Sequence, residues 1–242
     1  MKYINYFNNS ITLISLFLNI IIIIKFIKNI FDFLFKKYFI KKVLGYSNEA
    51  VNICCYDESY ASLSHHDIEA TNNIIKLFFN INQKFVLTGV ESDGNNEMCV
   101  GGFLVNRKIN KYMVNYFEDF RYITSPDLKE KYGENPFIEY IPNKNGYKIK
   151  DKELLFESGV DYVFLIKLTK SDFYGANKTV HIIHGTNEVG LIRGSEFLMT
   201  KYKKIYEKFK NNHYFFALEI ICRDKSINYS KDIIDLTDKM FT

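Results

Sequence analysis

The run Thr179–Gly190, TVHIIHGTNEVG, decides the fold, because an apolar segment ends in a glycine turn and a helical pattern follows directly. An apolar run of about four to eight residues bounded by turn residues is typical of a strand buried on both faces. Similar runs lie at Tyr162–Leu168 (YVFLIKL) and Tyr214–Cys222 (YFFALEIIC). We expect a helix at Val189–Asn211, before the second of these runs. Strands that alternate with helices predict an α/β domain.

The same alternation fills the preceding hundred or so residues. We expect strands at Ala50–Tyr56, Phe85–Val90 and Met98–Gly102, a helix at Ile68–Asn80 capped by Asp67, and another helix at about Val105–Phe120. Near-continuous apolar strands of this kind favour a mostly parallel, Rossmann-like sheet with helices on both faces. Residues 121–150 contain all three prolines and are predicted to form an antiparallel hairpin insertion.

The N-terminal segment Ile11–Ile24, ITLISLFLNIIIII, has no charged residue. With its apolar flanks it covers about residues 6–27, close to the ~20 residues that a helix needs to cross a bilayer. A cleaved signal peptide, a buried core helix and an interfacial helix are the alternatives. A signal peptide would need a basic start and a small-residue cleavage site, and a core helix would not be apolar on every face. We therefore predict one transmembrane helix.

Residues 26–44 continue as apolar positions interrupted by Lys28, Asp32, Lys36 and Lys37 at helical spacing. This pattern predicts an amphipathic helix lying among lipid headgroups, with a short re-entrant segment as the alternative. The predicted organisation is thus an anchor at 1–46 and one α/β domain at 47–242.

Charge is divided unevenly along the chain. Residues 1–46 hold seven Lys and one acid, a net of +6, whereas the whole chain is +4, so the domain carries −2. A nearly neutral domain argues against a nucleic-acid duplex as partner. The lysines that follow the span favour a lipid bilayer as partner and place the domain in the cytoplasm, which predicts a single-pass protein of the plasma or inner membrane.

The four cysteines, Cys54, Cys55, Cys99 and Cys222, show no CxxC spacing and no zinc-type pairing with histidine. We interpret them as buried reduced thiols, and we predict neither a metal nor a cofactor. His181 and His184 lie three apart on a predicted strand and so face opposite ways, which does not suit one ion.

Two glycine turns that join a strand to a helix are the candidate ligand-binding positions, since ligands of open α/β sheets bind at such ends. The first comprises Gly101, Gly102, Asn106 and Arg107. The second comprises five residues on and beyond the deciding strand: His184, Gly185, Thr186, Gly190 and Arg193. The alternative is that the turns only connect secondary structure.

Acidic residues in the loop between Glu91 and Glu97 follow a predicted strand, so we expect them at the same end of the sheet. Glu91 and Asp93 are the candidate catalytic residues, for general acid–base work or for binding a ribose hydroxyl. The alternative is a solvated polar loop.

An N-terminal anchor followed by an α/β domain with two glycine junctions, Gly101–Gly102 and Gly185 to Gly190, resembles the membrane-anchored Rossmann-like nucleotide sensors of bacterial antiviral defence, of the CARF or SLOG type. The glycine-rich GGxGT run of the SLOG families is absent. The resemblance implies a cytosolic domain that senses a nucleotide-derived messenger and acts on the membrane as a homo-oligomer. The alternatives are a membrane-tethered nucleotide hydrolase or N-glycosidase and an anchored interaction protein without a small ligand.

Overall fold

The computed structural model describes most of the 242 residues. The described residues are 2–56, 64–89, 93–102, 106–116, 122–123, 138–141, 146–149, 152–155, 160–169, 177–186, 188–223 and 226–241. Six helices lie among them: α1 Lys2–Leu44, α2 His65–Ile81, α3 Arg107–Tyr116, α4 Glu188–Thr200, α5 Tyr202–Phe209 and α6 Thr237–Met240.

Seven strands form the main sheet: β1 Val51–Tyr56, β2 Phe85–Gly89, β3 Asn96–Val100, β8 Val160–Leu168, β9 Thr179–Gly185, β10 Tyr214–Arg223 and β11 Ser226–Asp235. Their order across the sheet is β11-β10-β8-β9-β3-β1-β2. The α/β class is confirmed, but the sheet is mixed rather than mostly parallel. Three neighbouring pairs are parallel (β1 with β2, β1 with β3, and β3 with β9) and three are antiparallel (β8 with β9, β8 with β10, and β10 with β11).

Two hydrophobic cores cover the two faces of this sheet. The first core packs α2, α4, α5 and the end of α1 against alternate residues such as Ile53, Met98 and Ile183. The second core packs α3 and α6 against the intervening residues, such as Cys99 and Ile182. Because successive strand residues point to opposite faces and both faces are covered, β8 and β10 are apolar at most positions, as their sequences predicted.

A small second sheet adds to the second core. It has the order β4-β5-β6-β7, with bounds β4 Tyr122–Ile123, β5 Ile138–Ile141, β6 Gly146–Ile149 and β7 Lys152–Leu155. The predicted antiparallel hairpin is present as β5 and β6, and β7 extends it. Ile149 and Leu154 are the side chains that it buries.

Two helix ends differ from the prediction. Ser64, not Asp67, is the N-cap of α2: its hydroxyl accepts from the Asp67 amide, and the Asp67 carboxylate binds the Ser64 amide in return. The single helix predicted over Val189–Asn211 is divided at Lys201 into α4 and α5. The Thr200 hydroxyl donates to the Glu196 carbonyl at 2.8 Å, a bond that competes with the helix backbone and bends helices.

Helix α1 is continuous over 43 residues. None of the helices in the described part of the chain combines the length and apolar character needed to cross a bilayer. The span at about 6–27 therefore stays a prediction. At its other end the helix enters the domain, where Ile40, Val43 and Leu44 are each 1% exposed within the first core.

Candidate functional site

The two predicted glycine junctions lie side by side at the carboxyl ends of β3 and β9. The strands are parallel neighbours, with Val100 opposite Ile183. Gly101 donates its backbone N–H to the Ile183 carbonyl at 3.1 Å, and the His184 ring lies 3.2 Å from the Gly101 carbonyl. The space beyond these strand ends, between Gly101–Gly102 and His184–Gly185, is called the crevice below.

The helices that follow the two strands leave the crevice on opposite sides of the sheet. Helix α3 follows β3 and packs Ile109 and Met113 into the second core, whereas α4 follows β9 and packs Leu191 and Leu198 into the first. Neighbouring strands whose helices diverge in this way open a cleft at their carboxyl ends, the usual ligand position in open α/β sheets.

Glycine is required at position 101. Its φ of +138° is a backbone conformation that residues with a Cβ rarely adopt. A Cβ on Gly101 would stand 3.5 Å from the Asn106 side chain, an ordinary contact, so the backbone conformation and not crowding calls for glycine. The glycine therefore sets the shape of the crevice wall.

Asn106 is a buried linker between the strands and α3, not an open ligand-binding group. Its amide group donates to the carbonyls of Cys54 at 3.1 Å and Val100 at 3.2 Å. Its oxygen accepts from the backbone amides of Lys108 at 3.1 Å and Ile109 at 3.3 Å, which caps α3. Asn106 was predicted to contact a ligand, but its side chain instead holds α3 at the ends of β1 and β3.

A buried carboxylate, Asp161, occupies the position at the start of α4 that the sequence assigned to a ligand. Thr186 donates its hydroxyl to Asp161, and a Cβ on Gly190 would come within 2.5 Å of the same carboxylate. Burial raises the pKa of Asp161 above its usual value, and hydrogen bonds from Thr186 and from the backbone of Tyr162 and Gly190 offset only part of that rise. The helix N-terminus therefore already has a buried carboxyl group of the chain as its partner.

Of the two predicted arginines, Arg107 is exposed at the first residue of α3, close to the crevice. Arg193 lies further along α4 and pairs with Glu196 on the same helix. Gly102 is half-buried and accepts the Asn106 amide at 2.9 Å. The structure thus gathers Gly101, Gly102, Arg107, His184 and Gly185 at one edge.

Both histidines of β9 are buried and uncharged. Burial lowers the pKa of His181 and of His184 to about 3. Because a carbonyl can only accept, Nδ1 of His184 donates to Gly101, and the ring stacks on Phe164 with centroids 5.7 Å apart. His181 points to the other face, as the strand alternation predicted, so the two rings do not share a site.

His181 and a buried lysine bind the end of α1 to the sheet. His181 Nε2 donates to the Leu44 carbonyl at 2.8 Å, and Tyr214 donates to Nδ1 at 3.2 Å. On the neighbouring strand, Lys167 Nζ donates to the Val43 carbonyl at 2.7 Å and to Asn211 at 3.2 Å. Burial lowers the pKa of Lys167 to about 8. These donors cap the carbonyl end of α1, where positive charge is favoured.

The expectation that the acidic loop lies at the crevice is wrong for Asp93 through Glu97. Strand β3 begins at Asn96, so these residues stand at its amino end, and Asp93 pairs with Lys178, which directly precedes β9. The hydrogen bond from Lys178 lowers the pKa of Asp93. Glu91 lies outside the described residues. The hydrolase hypothesis needed Glu91 or Asp93 beside Gly101–Gly102, and the structure separates Asp93 from this turn by the length of β3.

A buried ionic cluster around Glu97 was not predicted. The Glu97 side chain is 0% exposed, and each of its oxygens has two donors. Tyr112 donates to Oε2 at 2.5 Å and Lys108 lies 3.0 Å from the same oxygen. Gly94 donates to Oε1 at 3.0 Å and Lys178 lies 3.2 Å away. No sequence signal marked this cluster, because Glu97 precedes the run Met98–Gly102 that was predicted as the strand.

Cys54 and Cys99 lie beside Glu97, opposite each other on β1 and β3, with the two sulfur atoms and a carboxylate oxygen all within 4.8 Å. A hydrogen bond from Cys99 lowers the pKa of Cys54 to about 7 against the effect of burial, and Thr88 assists. A metal ion would need a lone pair of Glu97, but four donors already surround that carboxylate and two of them are ammonium groups. The arrangement therefore suits a charge cluster better than a metal centre.

Comparison with known proteins gave no match: the chain fits no protein-family model, no curated protein and no solved structure.

Proposed function

We propose that this chain is a membrane-associated sensor whose α/β domain binds a nucleotide or nucleotide-derived messenger in the crevice. The observation that carries the proposal is the divergence of α3 and α4 to opposite faces from the neighbouring strands β3 and β9. A small ligand in an open α/β sheet binds at such a point, outside the carboxyl ends of the strands.

Recognition of the messenger rests on the glycine backbone and Arg107. Both helix N-termini at the crevice are capped from within, by Asn106 for α3 and by Asp161 for α4. A phosphate is therefore held by the backbone amide of Gly102 and by the exposed Arg107 guanidinium, which suits phosphate oxygens.

Insertion of α1 into a bilayer is supported by its surface. The side chains of Leu16, Phe17, Ile23, Phe26 and Phe31 are all more than half exposed, with further apolar neighbours between them on every side of the helix. Exposure of a continuous apolar surface of this size to water is unfavourable, whereas its contact with lipid is favourable. We place the span at about 6–27, single-pass in the plasma or inner membrane, with the domain on the cytoplasmic side.

Strand β9 supports communication between the two regions. It carries His184 and Gly185 at the crevice and, three residues earlier, His181, which binds the last carbonyl of α1. A ligand that displaces β9 at His184 therefore also moves His181, and with it the end of α1, because only two residues separate the two histidines. A membrane effector that responds to a messenger requires such a connection.

The ligand proposal is tested on the full chain in detergent micelles. Thermal unfolding is measured with a panel of mono-, di- and cyclic oligonucleotides and ADP-ribose derivatives, each recovered afterwards and analysed by chromatography. A ligand at about 100 times its dissociation constant adds about 2.7 kcal/mol, or roughly 5–10 °C in Tm for a domain of this size. Arg107→Gln should abolish the shift, and Lys111→Gln, the same charge change one turn along α3, should retain it.

A ligand recovered intact supports a sensor, whereas recovery as products makes the protein an enzyme. If no member of the panel shifts Tm, the proposed ligand class is wrong. Membrane association is measured separately, by flotation of the full chain with vesicles and extraction at alkaline pH. Release by alkali would contradict insertion of α1.

A further inference from the structure

The short helix α5 lies in the most basic segment of the α/β domain. Residues 201–210, KYKKIYEKFK, hold five lysines and one acid, a net of +4, whereas residues 47–242 together carry −2, so the remainder of the domain carries −6. The lysines are Lys201, Lys203, Lys204, Lys208 and Lys210, and all five are exposed. Positive charge gathered at one place on an otherwise acidic domain is typical of a surface that binds an anionic partner.

The lysines occupy the side of α5 that does not pack on the sheet. Ile205 and Phe209 are buried in the first core, and Tyr202 and Tyr206 pack against the same core. Because a helix completes a turn every 3.6 residues, these four positions share one half of its surface and the lysine positions share the other. The basic side of α5 therefore faces outward.

Two acidic side chains lie beside the lysines without neutralising this side. Lys203 Nζ is 3.9 Å from the Glu207 carboxylate, and Lys208 Nζ is 3.2 Å from that of Asp235. All four side chains are exposed, and an ion pair between exposed groups contributes little because water competes for both partners. The net charge of +4 already includes Glu207, so the segment remains basic.

Helix α5 lies alongside the part of α1 that follows the predicted span. The Tyr206 ring meets the Phe39 ring edge-on, with centroids 5.4 Å apart. Burial and the Asp32 carboxylate both raise the pKa of Tyr202, so the start of α5 is near Asp32. At a rise of 1.5 Å per residue, Asp32 lies about 7.5 Å beyond residue 27, where the predicted span ends. This distance matches the headgroup layer, which is roughly 5–8 Å thick.

The same stretch of α1 supplies a second group of lysines. Residues 36–42 contain four lysines and no acid, so two adjoining helical segments, 36–42 and 201–210, hold +8 in a chain whose total is +4. The lysines of these two segments are called the basic surface below. We propose that the basic surface binds anionic phospholipid headgroups of the leaflet that α1 enters, which gives the α/β domain a membrane contact of its own through α5.

Phospholipid suits this position better than nucleic acid, the other common polyanion. Beside the basic surface, Phe33, Leu34 and Phe35 of α1 are each at least half exposed. A bilayer offers anionic headgroups to the lysines and an apolar interior to the helix that carries these side chains, whereas nucleic acid offers only the charge. The contact rests on the proposed membrane association.

Lysine footprinting of the full chain in vesicles tests the contact. A membrane-impermeant acetylating reagent is applied to chain that has floated with vesicles of phosphatidylcholine, with or without phosphatidylglycerol, and mass spectrometry gives the labelling rate of each lysine. Labelling of Lys203 and Lys204 should fall at least about threefold with phosphatidylglycerol, because the anionic surface holds their ammonium groups. Lys111, exposed on α3 at the opposite face of the sheet, should label equally in both.

Salt and substitution separate this contact from insertion of α1. At about 1 M salt the Debye length is only about 3 Å, so the protection should disappear while the chain still floats. Lys203→Gln with Lys204→Gln should weaken the contact roughly 30-fold, since each lysine at an anionic leaflet contributes about fivefold, and Lys208 should then lose its protection. Lys111→Gln with Lys152→Gln, the same charge change at exposed positions on the other face, should keep it.

The outcomes distinguish the two proposals. Absence of flotation would contradict the membrane association and this contact with it. Floated chain in which Lys203 and Lys204 label equally in both kinds of vesicle would overturn the contact alone, and so would equal protection of Lys111. A DNA duplex added to chain in phosphatidylcholine vesicles is the last comparison: protection of Lys203 and Lys204 by the duplex, and not by phosphatidylglycerol, would assign the basic surface to nucleic acid and overturn the lipid contact.

Discussion

Replacement of Glu97 by glutamine tests the buried ionic cluster most severely. The carboxylate accepts from Gly94, Tyr112, Lys108 and Lys178, and its side chain is fully buried. Glutamine keeps the size but has one oxygen in place of two and no charge. At least two donors then face an amide nitrogen that cannot accept, and two ammonium groups lose their counter-charge.

The expected cost is large. Removal of one partner from a buried ion pair destabilises a protein by about 3–5 kcal/mol. For a domain of this size, 1 kcal/mol corresponds to about 2–4 °C, so Tm should fall by roughly 6–20 °C. Denaturant unfolding of the full chain in detergent gives the free energy. Glu49→Gln, an exposed carboxylate that binds only Asn95 among the described contacts, should change it by less than about 0.5 kcal/mol.

A second substitution distinguishes lost charge pairing from a general packing defect. Lys108→Met removes one of the two orphaned ammonium groups, so the double variant with Glu97→Gln should lose less stability than the sum of the two single variants. A cost below about 1 kcal/mol for Glu97→Gln, or additive costs in the double variant, would refute the cluster as described.

Three further results are expected. The pKa of His181 and His184 is about 3 in the folded protein and near 6.5 when unfolded, so the unfolded chain binds more protons as pH falls below 6.5. The free energy of unfolding should therefore drop by roughly 3 kcal/mol between pH 6.5 and 5, and His184→Asn, which keeps the donor to Gly101, should halve its slope against pH. Asn106→Ala should cost about 2 kcal/mol in denaturant unfolding, since it removes a helix cap and two bonds to strand ends; a loss under about 0.5 kcal/mol would contradict that role. Gly190→Ala should cost about 1–3 kcal/mol because its Cβ would meet a buried carboxylate, whereas an unchanged Tm would show that the contact is looser.

The strands were predictable because burial on both faces of a sheet requires apolar residues at consecutive positions. YVFLIKL and TVHIIH are apolar at consecutive positions, and both strands are buried on both faces. That pattern reports burial and not direction, which is why the antiparallel half of the sheet was missed. The connection from Leu168 to Thr179 is shorter than the dozen or more residues of a parallel crossover, and its length indicates the antiparallel pairing of β8 and β9.

The candidate site was predicted in part. The glycine junctions could be placed together because the carboxyl ends of neighbouring parallel strands meet at one edge. Asp93 was misplaced because β2 and β3 are both parallel to β1, so the loop that joins them must end at the amino edge. The caps that the chain itself supplies could not be predicted, because Asp161 and Thr186 are 25 residues apart and only the folded sheet brings them into contact.

Lys167 is a charged residue inside the apolar run YVFLIKL, and a buried charge requires a partner. The sequence thus indicates that Lys167 has a partner, but the carbonyl end of α1 is supplied by a distant segment. Glu97 carries no such signal, because it precedes the run Met98–Gly102 that was predicted as a strand.

The most direct measurement of the central claim is hydrogen exchange of the full chain with and without the nucleotide of the panel that gives the largest thermal shift. We expect slower exchange at Gly101–Gly102 and His184–Thr186, a smaller effect along β9 toward α1, and no change at Phe85–Gly89. Protection confined to residues away from the carboxyl ends of β3 and β9, or no protection with any nucleotide, would contradict a ligand site in the crevice.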